Sequence, residues 1–509
     1  MSKPPATSRT LVLFGIAIPL ATLIGYLLVT PDTTKSIGIV GLVLAVLSIP
    51  LFLRWHHPLL VVAWNASFIV FFLPGRPQLW MLFGAISLGI TVLACVLNKE
   101  QRFQHVPALT WSSIFLLGVV LLTAKLTGGI GLRSLGGSQY GGKGYVYIVA
   151  AFVGYFALSS VRIPAGSAQR YALLFFISGV VLAISNLAYL GGPNFWFLFH
   201  VFPVDMAMAQ AMGDFNPSQY SINRVTGLGF AAVAICNVFF LRYGIRGLLD
   251  MSKPIRLILF LIAFAASLAG GFRSALVLVV LGFVVQFFVE GLHRTRLVLA
   301  LTVGAVLAMA ALVPVVSKLP LAVQRSLSII PFLPVSSIAK FDAQVTLDWR
   351  LEMWGIVLPD VPRYLWLGKG YAITPSDLFL AQESLRRGIG SPFQPVLIAG
   401  DYHNGPLSII IPFGLPGVLG FVCVLIAGGR VLYRNWKLRN PAVHNINTLL
   451  LSLFISKVLF FFLVFGAFQS DLAVFLGLIG LSIAVNGVHP ESQPAAEPSA
   501  MPELVPAHA

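Results

Sequence analysis

Apolar stretches about as long as a bilayer is thick recur along most of this chain, and nothing constrains its fold more. A helix needs about 20 predominantly apolar residues to cross the hydrocarbon core. Runs of that kind fall near 11–30, 36–53, 58–73, 78–97, 108–126, 145–161 and 171–190. Others lie near 226–242, 255–270, 273–290, 296–316, 404–429, 445–466 and 470–487. In lipid every backbone polar group must be satisfied within the protein, which makes such runs helices. The expected fold is an all-α, polytopic transmembrane helical bundle of about 12–14 helices. Composition agrees: 58% of the 509 residues are hydrophobic and 10% are charged. Soluble domains carry roughly a quarter charged residues, so a water-soluble fold is excluded, and so is a disordered chain. The run Leu11 to Val29 lacks a small-residue cleavage pattern and is expected to stay as the first helix. Cys95, Cys236 and Cys423 lie in or at the end of apolar runs, spaced for neither a disulfide framework nor a metal site. They read as small apolar filler.

The formal net charge of +16 could mark a nucleic-acid binder. Most of the basic residues, however, stand in short clusters between apolar runs, where membrane topology puts them. Alternate connections hold Arg54; Lys99 and Arg102; Arg162 and Arg170; Arg242, Arg246, Lys253 and Arg256; Arg294 and Arg296; and Arg430, Arg434, Lys437 and Arg439. Lys3 and Arg9 belong to the same side, whereas Lys35, Arg76 and Arg273 are isolated on the other. The positive-inside rule then places both termini in the cytoplasm. Three outer connections exceed a turn: the glycine-rich Thr127 to Gly144, Gly191 to Arg224, and Ser317 to Tyr402. In the second, FWFLFHVFPVDMAMAQAM reads as an interfacial helix. The third is long enough to fold and carry function. The chain divides into helices over 1–316, a large, partly helical loop over 317–402, further helices over 403–487, and a Pro- and Ala-rich tail over 488–509 expected to be disordered.

That large loop holds Lys318, Arg325, Lys340, Arg350, Arg363, Lys369, Arg386 and Arg387, more cations than acids. Long loops are exempt from the positive-inside rule. The excess therefore reads either as a solvated surface or as a receptor for an anionic substrate. No P-loop, HExxH or GxSxG motif and no Asp-x-Asp pair occurs, so neither metal nor cofactor is implied. Few acids lie inside the apolar runs, which weakens a proton-coupled pump. Lys457 is the main buried charge; it snorkels, pairs with Asp471 or lines a cavity. His56, His57, His105, His293 and His444 fall on the cytoplasmic side and His489 and His508 in the tail, leaving His200 and His403 outward. His200 sits among aromatics and reads as packing. His403 immediately precedes a helix in DYHNGPLSIIIPFGLPG, with Asn404 placed to cap it and Gly405 and Pro406 suited to its first turn. The positive end of the helix dipole disfavours imidazolium there and favours a bound anion. Asp401, two residues earlier, would instead orient the ring and favour its charged form, and the sequence leaves both influences open.

The spacing His403-Asn404-x2-Leu407-x6-Gly414-x2-Gly417 resembles the hallmark of the O-antigen ligase and O-antigen polymerase superfamily of bacterial inner-membrane glycan transferases. Two further stretches are similar to that family. Arg350-LEM-Trp354 is followed by Asp360-Val361-Pro362 and Gly368-Lys369-Gly370, and GGFRSALVLVVLG puts Arg273 at the outer start of a helix. Phe272 stands where the family usually has serine, which alters the local hydrogen bonding but leaves Arg273 in place. The similarity covers roughly 255–430. By the helix count Arg273, Arg350 and His403 all fall on the outer side.

The resemblance implies a GT-C-like bundle in the bacterial inner membrane, with the active site facing the periplasm. It implies transfer, with inversion and without a metal, of a glycan from polyprenyl pyrophosphate to a hydroxyl of a glycan, lipid core or protein. Arg273 and Arg350 would grip pyrophosphate oxygens, and His403 would take the acceptor proton. Asn404, Arg325, Lys340, Arg386, Arg387 and Asp401 are the further substrate-binding candidates. Membrane lipids are the other expected partner, and no nucleic acid is. A flippase or transporter of lipid-linked oligosaccharide would share the helix count but should carry cations deep within the helices. A membrane scaffold gives no reason for these residues to converge. Ligase, polymerase and protein O-oligosaccharyltransferase are not separated by these motifs, and Asp32, an acid in the first outer loop, does not decide among them.

Overall fold

The computed structural model describes residues 33–98, 103–130, 141–203, 225–388 and 393–487, together with 18–19, 21–22 and 25. It divides into two units. The first, Met1–His56, is helical over residues 33–56. The second, His57–Ala509, contains every residue of the site.

Helices of this second unit are Leu79–Leu97 (α1), Pro107–Thr127 (α2), Gly142–Ser160 (α3), Ala165–Leu190 (α4) and Thr226–Leu248 (α5), each long and apolar enough to cross a membrane. Three shorter apolar helices come next: Ile255–Leu268 (α6), Arg273–Val289 (α7) and Leu297–Leu312 (α8). The large loop folds into Leu321–Leu327 (α9), Ser337–Val357 (α10), Pro375–Arg386 (α11) and Gln394–Ala399 (α12). Three more spans complete the chain: Gly405–Lys437 (α13), His444–Leu463 (α14) and Phe468–Asn486 (α15). Among the described residues the one β contact is an isolated Ile69–Gln78 bridge. This is a polytopic helical membrane protein.

Span α15 is the most enclosed, with 83% of its spanning window buried. Phe421 of α13, Phe461 of α14, and Phe468 and Phe475 of α15 meet there at ring separations of 5.3–6.2 Å. Aromatic rings favour such tilted and edge-on contacts. Lys457 and Asp471 form an ion pair of 2.7 Å between α14 and α15. Lys457 also lines an apolar cavity of about 290 Å³ with Phe175, Phe230 and Leu278.

The run expected at 58–73 is not a separate helix. Helical residues end at Ala63, and the chain turns so that Leu79 N donates to Phe68 O and Val70 N to Pro77 O, both 2.9 Å. The apolarity of that run reflects burial of Trp64, Ala66 and Val70, while Gly75 and Pro77 make the turn. The segment after Gly191 begins as a 3-10 helix, Pro193–His200, with Phe195, Trp196 and Phe197 exposed. The rest of that expected interfacial helix lies outside the described residues. So do most of the first apolar run, the core of the glycine-rich loop, Asp32 and the tail after 487.

Two spans are broken at glycine: α5 at Gly244 and α13 at Gly414. At the second break the large loop docks on α13. Pro416 has no N–H, so Pro412 O loses its partner four residues on. Gly370 N donates to Pro412 O at 2.9 Å and Lys369 N to Ile411 O at 2.7 Å, while Leu415 N donates to Leu365 O at 2.6 Å. The loop backbone thus replaces what the helix has lost. The fit requires glycine, since a Cβ on Gly368 would lie 2.2 Å from Pro412 O and one on Gly414 2.7 Å from Leu365 O. Irregular backbone is tolerated at such depth only where protein covers it.

Candidate active site

His403 sits one residue before the Asn404 cap of α13 with φ 51°, a left-handed conformation that costs a non-glycine residue about 1–2 kcal/mol. Its neighbours impose that conformation. Asn404 Oδ1 accepts from Leu407 N at 3.1 Å, and Trp354 Nε1 donates to Tyr402 O at 2.8 Å. Gly405 is pressed so closely on the end of α14 that a Cβ would stand 2.3 Å from Phe461 O. The imidazole lies between Trp349, at 5.5 Å, and Phe465, at 5.3 Å.

His403 Nδ1 is 2.9 Å from Asp401 Oδ1. An ionised carboxylate only accepts, so Nδ1 carries a proton and donates, and in the neutral ring Nε2 is the acceptor. Burial pushes the Asp401 carboxyl up, but the hydrogen bond and charge of His403, with the charge of Arg350, outweigh it and hold the carboxyl below its ordinary value. The Asp401 side chain is still 50% exposed, so solvent screens the pair.

Three guanidinium groups gather beside this pair. Arg350 lies over the Phe465 ring, 5.5 Å from its centroid, so it and His403 share one aromatic surface. Burial first, then the charges of Arg273 and Arg325, push the Arg350 guanidinium down, and Asp401 opposes them. Arg350 Nε is buried with no hydrogen-bond partner among the described residues. Arg273, the first residue of α7, donates from Nη2 to Ala343 O at 2.8 Å. Arg325 is engaged throughout: it pairs with Asp342, donates to Gly271 O, and reaches Thr346 Oγ1 at 3.0 Å, with its side chain 3% exposed. It therefore ties α9 to α10 and to the turn before α7. Asp342 is occupied by Arg325 and Asp401 by His403, which leaves Arg273 and Arg350 with the least-compensated charge.

The remaining cations stand apart. Arg386 and Arg387 are exposed and pair with Glu383 at 3.9 and 2.7 Å. Lys340 is exposed on α10, ten residues before Arg350 and so about 15 Å away along the helix. His200 contacts Phe71, with ring centroids 6.3 Å apart. Phe272 caps α7 with no side-chain hydrogen bond, which is the consequence of an aromatic at that position. Among the described residues no three His, Cys, Asp or Glu side chains gather to hold a metal ion.

Trp349, Phe465 and Asp342 were not singled out from the sequence. A signal for one of them was present, because Asp342, Thr346 and Arg350 recur at four-residue spacing and so share a face of α10. Phe465 carries no such signal, since only the fold brings the α14–α15 turn to His403.

The fold and this cluster define a class: a polytopic helical membrane protein with a histidine and arginines assembled where a large loop meets the helix ends. Residues 257–422 match the family model described as O-antigen ligase, a region that holds Arg273, Arg350 and His403. Over that region the chain is similar to the O-antigen ligase family. No curated protein matches the chain.

Proposed function

We propose that the protein transfers a glycan from polyprenyl pyrophosphate to an acceptor hydroxyl at the periplasmic face of the bacterial inner membrane, as a ligase or polymerase. The observation that carries this reading is a histidine, its Nδ1 held by Asp401, that shares one aromatic surface with the buried Arg350, while Arg273 lies close enough for its charge to act on Arg350. His403 Nε2 takes the proton of the acceptor hydroxyl as its oxygen attacks the anomeric carbon. The bond from that carbon to the pyrophosphate oxygen breaks on the opposite side, so the centre inverts. Pyrophosphate leaves as an anion, and Arg273 and Arg350 neutralise it through paired N–H donors. Lys340, Arg386 and Arg387 are placed to meet an acidic glycan rather than the reacting centre. The apolar cavity at Phe230, a ring that packs 6.4 Å from Phe272 beside Arg273, suits the first units of the polyprenyl tail.

The test follows a labelled polyprenyl-pyrophosphate oligosaccharide with purified protein in liposomes, with and without acceptors. Wild type should release polyprenyl pyrophosphate and lengthen the acceptor, and His403→Ala should lower turnover by about 10²–10⁴-fold while staying folded. Arg273→Lys should also fail, because an ammonium keeps the charge and loses the fork. Movement of intact donor between leaflets, unaffected by His403→Ala, would instead make the protein a transporter.

A further inference from the structure

At the other end of the bundle the helix ends enclose a second polar cavity, of about 670 Å³, within the roughly 300–1,000 Å³ range of small-molecule sites. The last turns of α5 and α7 and the first turn of α14 line it. Since α14 runs 20 residues from His444 to Leu463, next to Phe465, the cavity lies about 30 Å from His403. Its floor carries polar atoms that the fold leaves unused. Gln286 is 1% exposed, and its Nε2 faces two acceptors, Phe240 O at 3.4 Å and Glu290 Oε1 at 2.8 Å. That fixes the amide orientation and leaves Oε1 an acceptor with no donor among the described residues. Thr448, 3% exposed, has an Oγ1 equally without a partner, and so has His444 Nδ1. Glu290, which already accepts from Ile245 N, Arg246 N and Gln286 Nε2 and keeps one acceptor position on Oε2, and Asp250 add two carboxylates, and Arg246, exposed at the rim, adds one guanidinium.

A floor of acceptors with two acids, under a rim arginine, fits a ligand that carries several N–H donors on a cation with an anion a short distance away. We propose that this cavity binds the phosphoethanolamine headgroup of a membrane phospholipid. The primary ammonium donates to Gln286 Oε1, Thr448 Oγ1 and Glu290, and the phosphate meets Arg246. The lipid is favoured over the free compound because two helices long enough to cross a membrane, α5 and α14, and the apolar helix α7 all end at the cavity, where bilayer headgroups would lie. The site is independent of the glycan-transfer reading.

Native mass spectrometry of the full-length protein, equilibrated with equimolar phosphatidylethanolamine, phosphatidylcholine and phosphatidylglycerol, tests it. Phosphatidylcholine keeps the charge but has no N–H, and phosphatidylglycerol has no ammonium. Phosphatidylethanolamine should be retained about tenfold over each. Thr448→Val and Arg246→Gln should each erode that preference. Neither endangers the fold, because the threonine hydroxyl has no partner among the described residues and the arginine is exposed. Equal retention of the three lipids, or a preference that both variants leave unchanged, would overturn the proposal. Soluble O-phosphoethanolamine raising the Tm as much as the lipid does would make the free compound the ligand and overturn the lipid assignment.

Discussion

Helices α5 and α13 break alike and are mended differently. Gly244 (φ 61°, ψ −179°) and Gly414 (φ 62°, ψ −165°) hold nearly the same non-helical conformation. After Gly244 the helix restarts with free N–H groups, and Glu290 of α7 takes Ile245 N at 2.8 Å and Arg246 N at 3.0 Å. A carboxylate at a helix start is favoured by geometry and by the dipole. Around Gly414 the partners are backbone groups of Leu365, Lys369 and Gly370. The first mend hangs on one removable side chain and shapes the wall of a cavity. The second fixes a stretch of loop to the helix that His403 opens, so there the conformation of the chain is part of the site.

The largest expected difference between the two lies at the glycines themselves. Gly414→Ala keeps a strained positive φ and drives its Cβ to 2.7 Å from Leu365 O and 3.0 Å from Trp366, both backbone atoms. The loop must shift, and a displacement on the order of 1 Å in a site can cost about 100-fold in rate. Transfer in liposomes should fall by about that factor. In Gly244→Ala the new Cβ meets Glu290 Oε1 at 2.8 Å, the end of a side chain that can swing away. Transfer there should stay near wild type. Equal losses in the two variants would erase the distinction.

Much of the fold was legible in the sequence. Run length located the eight described helices long enough to cross, but 255–270, 273–290 and 296–316 fold as shorter apolar helices, and it erred at 58–73 because apolarity reports burial and not helix. Arg350 stands in a family-like motif and Arg325 only among the cations of the large loop, and neither placement in the sequence tells what its guanidinium touches. Only packing shows that Arg325 has all three guanidinium nitrogens engaged and Arg350 a buried Nε without a partner among the described residues. For Gly368-Lys369-Gly370 the sequence held half the reason. Pro416 predicts an orphan carbonyl at Pro412, but nothing local says which distant segment supplies the donor.

Removing the carboxylate should give a smaller and different effect. Glu290→Ala leaves Ile245 N–H without an acceptor, while water reaches the exposed Arg246. The expected loss is about 1–3 kcal/mol of stability, read as a lower Tm in detergent. Transfer below the unfolding temperature should be intact, because this mend holds nothing near His403. A catalytic defect without a stability loss would mean the two breaks are coupled through the bundle.

The smallest effect belongs to Asp401, the side chain that holds the His403 ring itself. The folded Asp401 carboxyl sits below its ordinary value, so between the two values the unfolded chain binds more protons than the folded one. The stability it contributes is complete above the ordinary carboxylate range, near about 3.9, and is lost as pH falls through the lowered folded value. A pair this exposed contributes under about 1 kcal/mol. Asp401→Asn should therefore lower Tm slightly at neutral pH and match wild type in acid. Turnover should fall modestly, since an amide oxygen can still accept from His403 Nδ1–H while Asn404, Gly405 and the Trp354–Tyr402 bond hold the ring. A collapse of turnover as deep as that of Gly414→Ala would show that one side chain, and not the docked backbone, keeps His403 in its left-handed conformation.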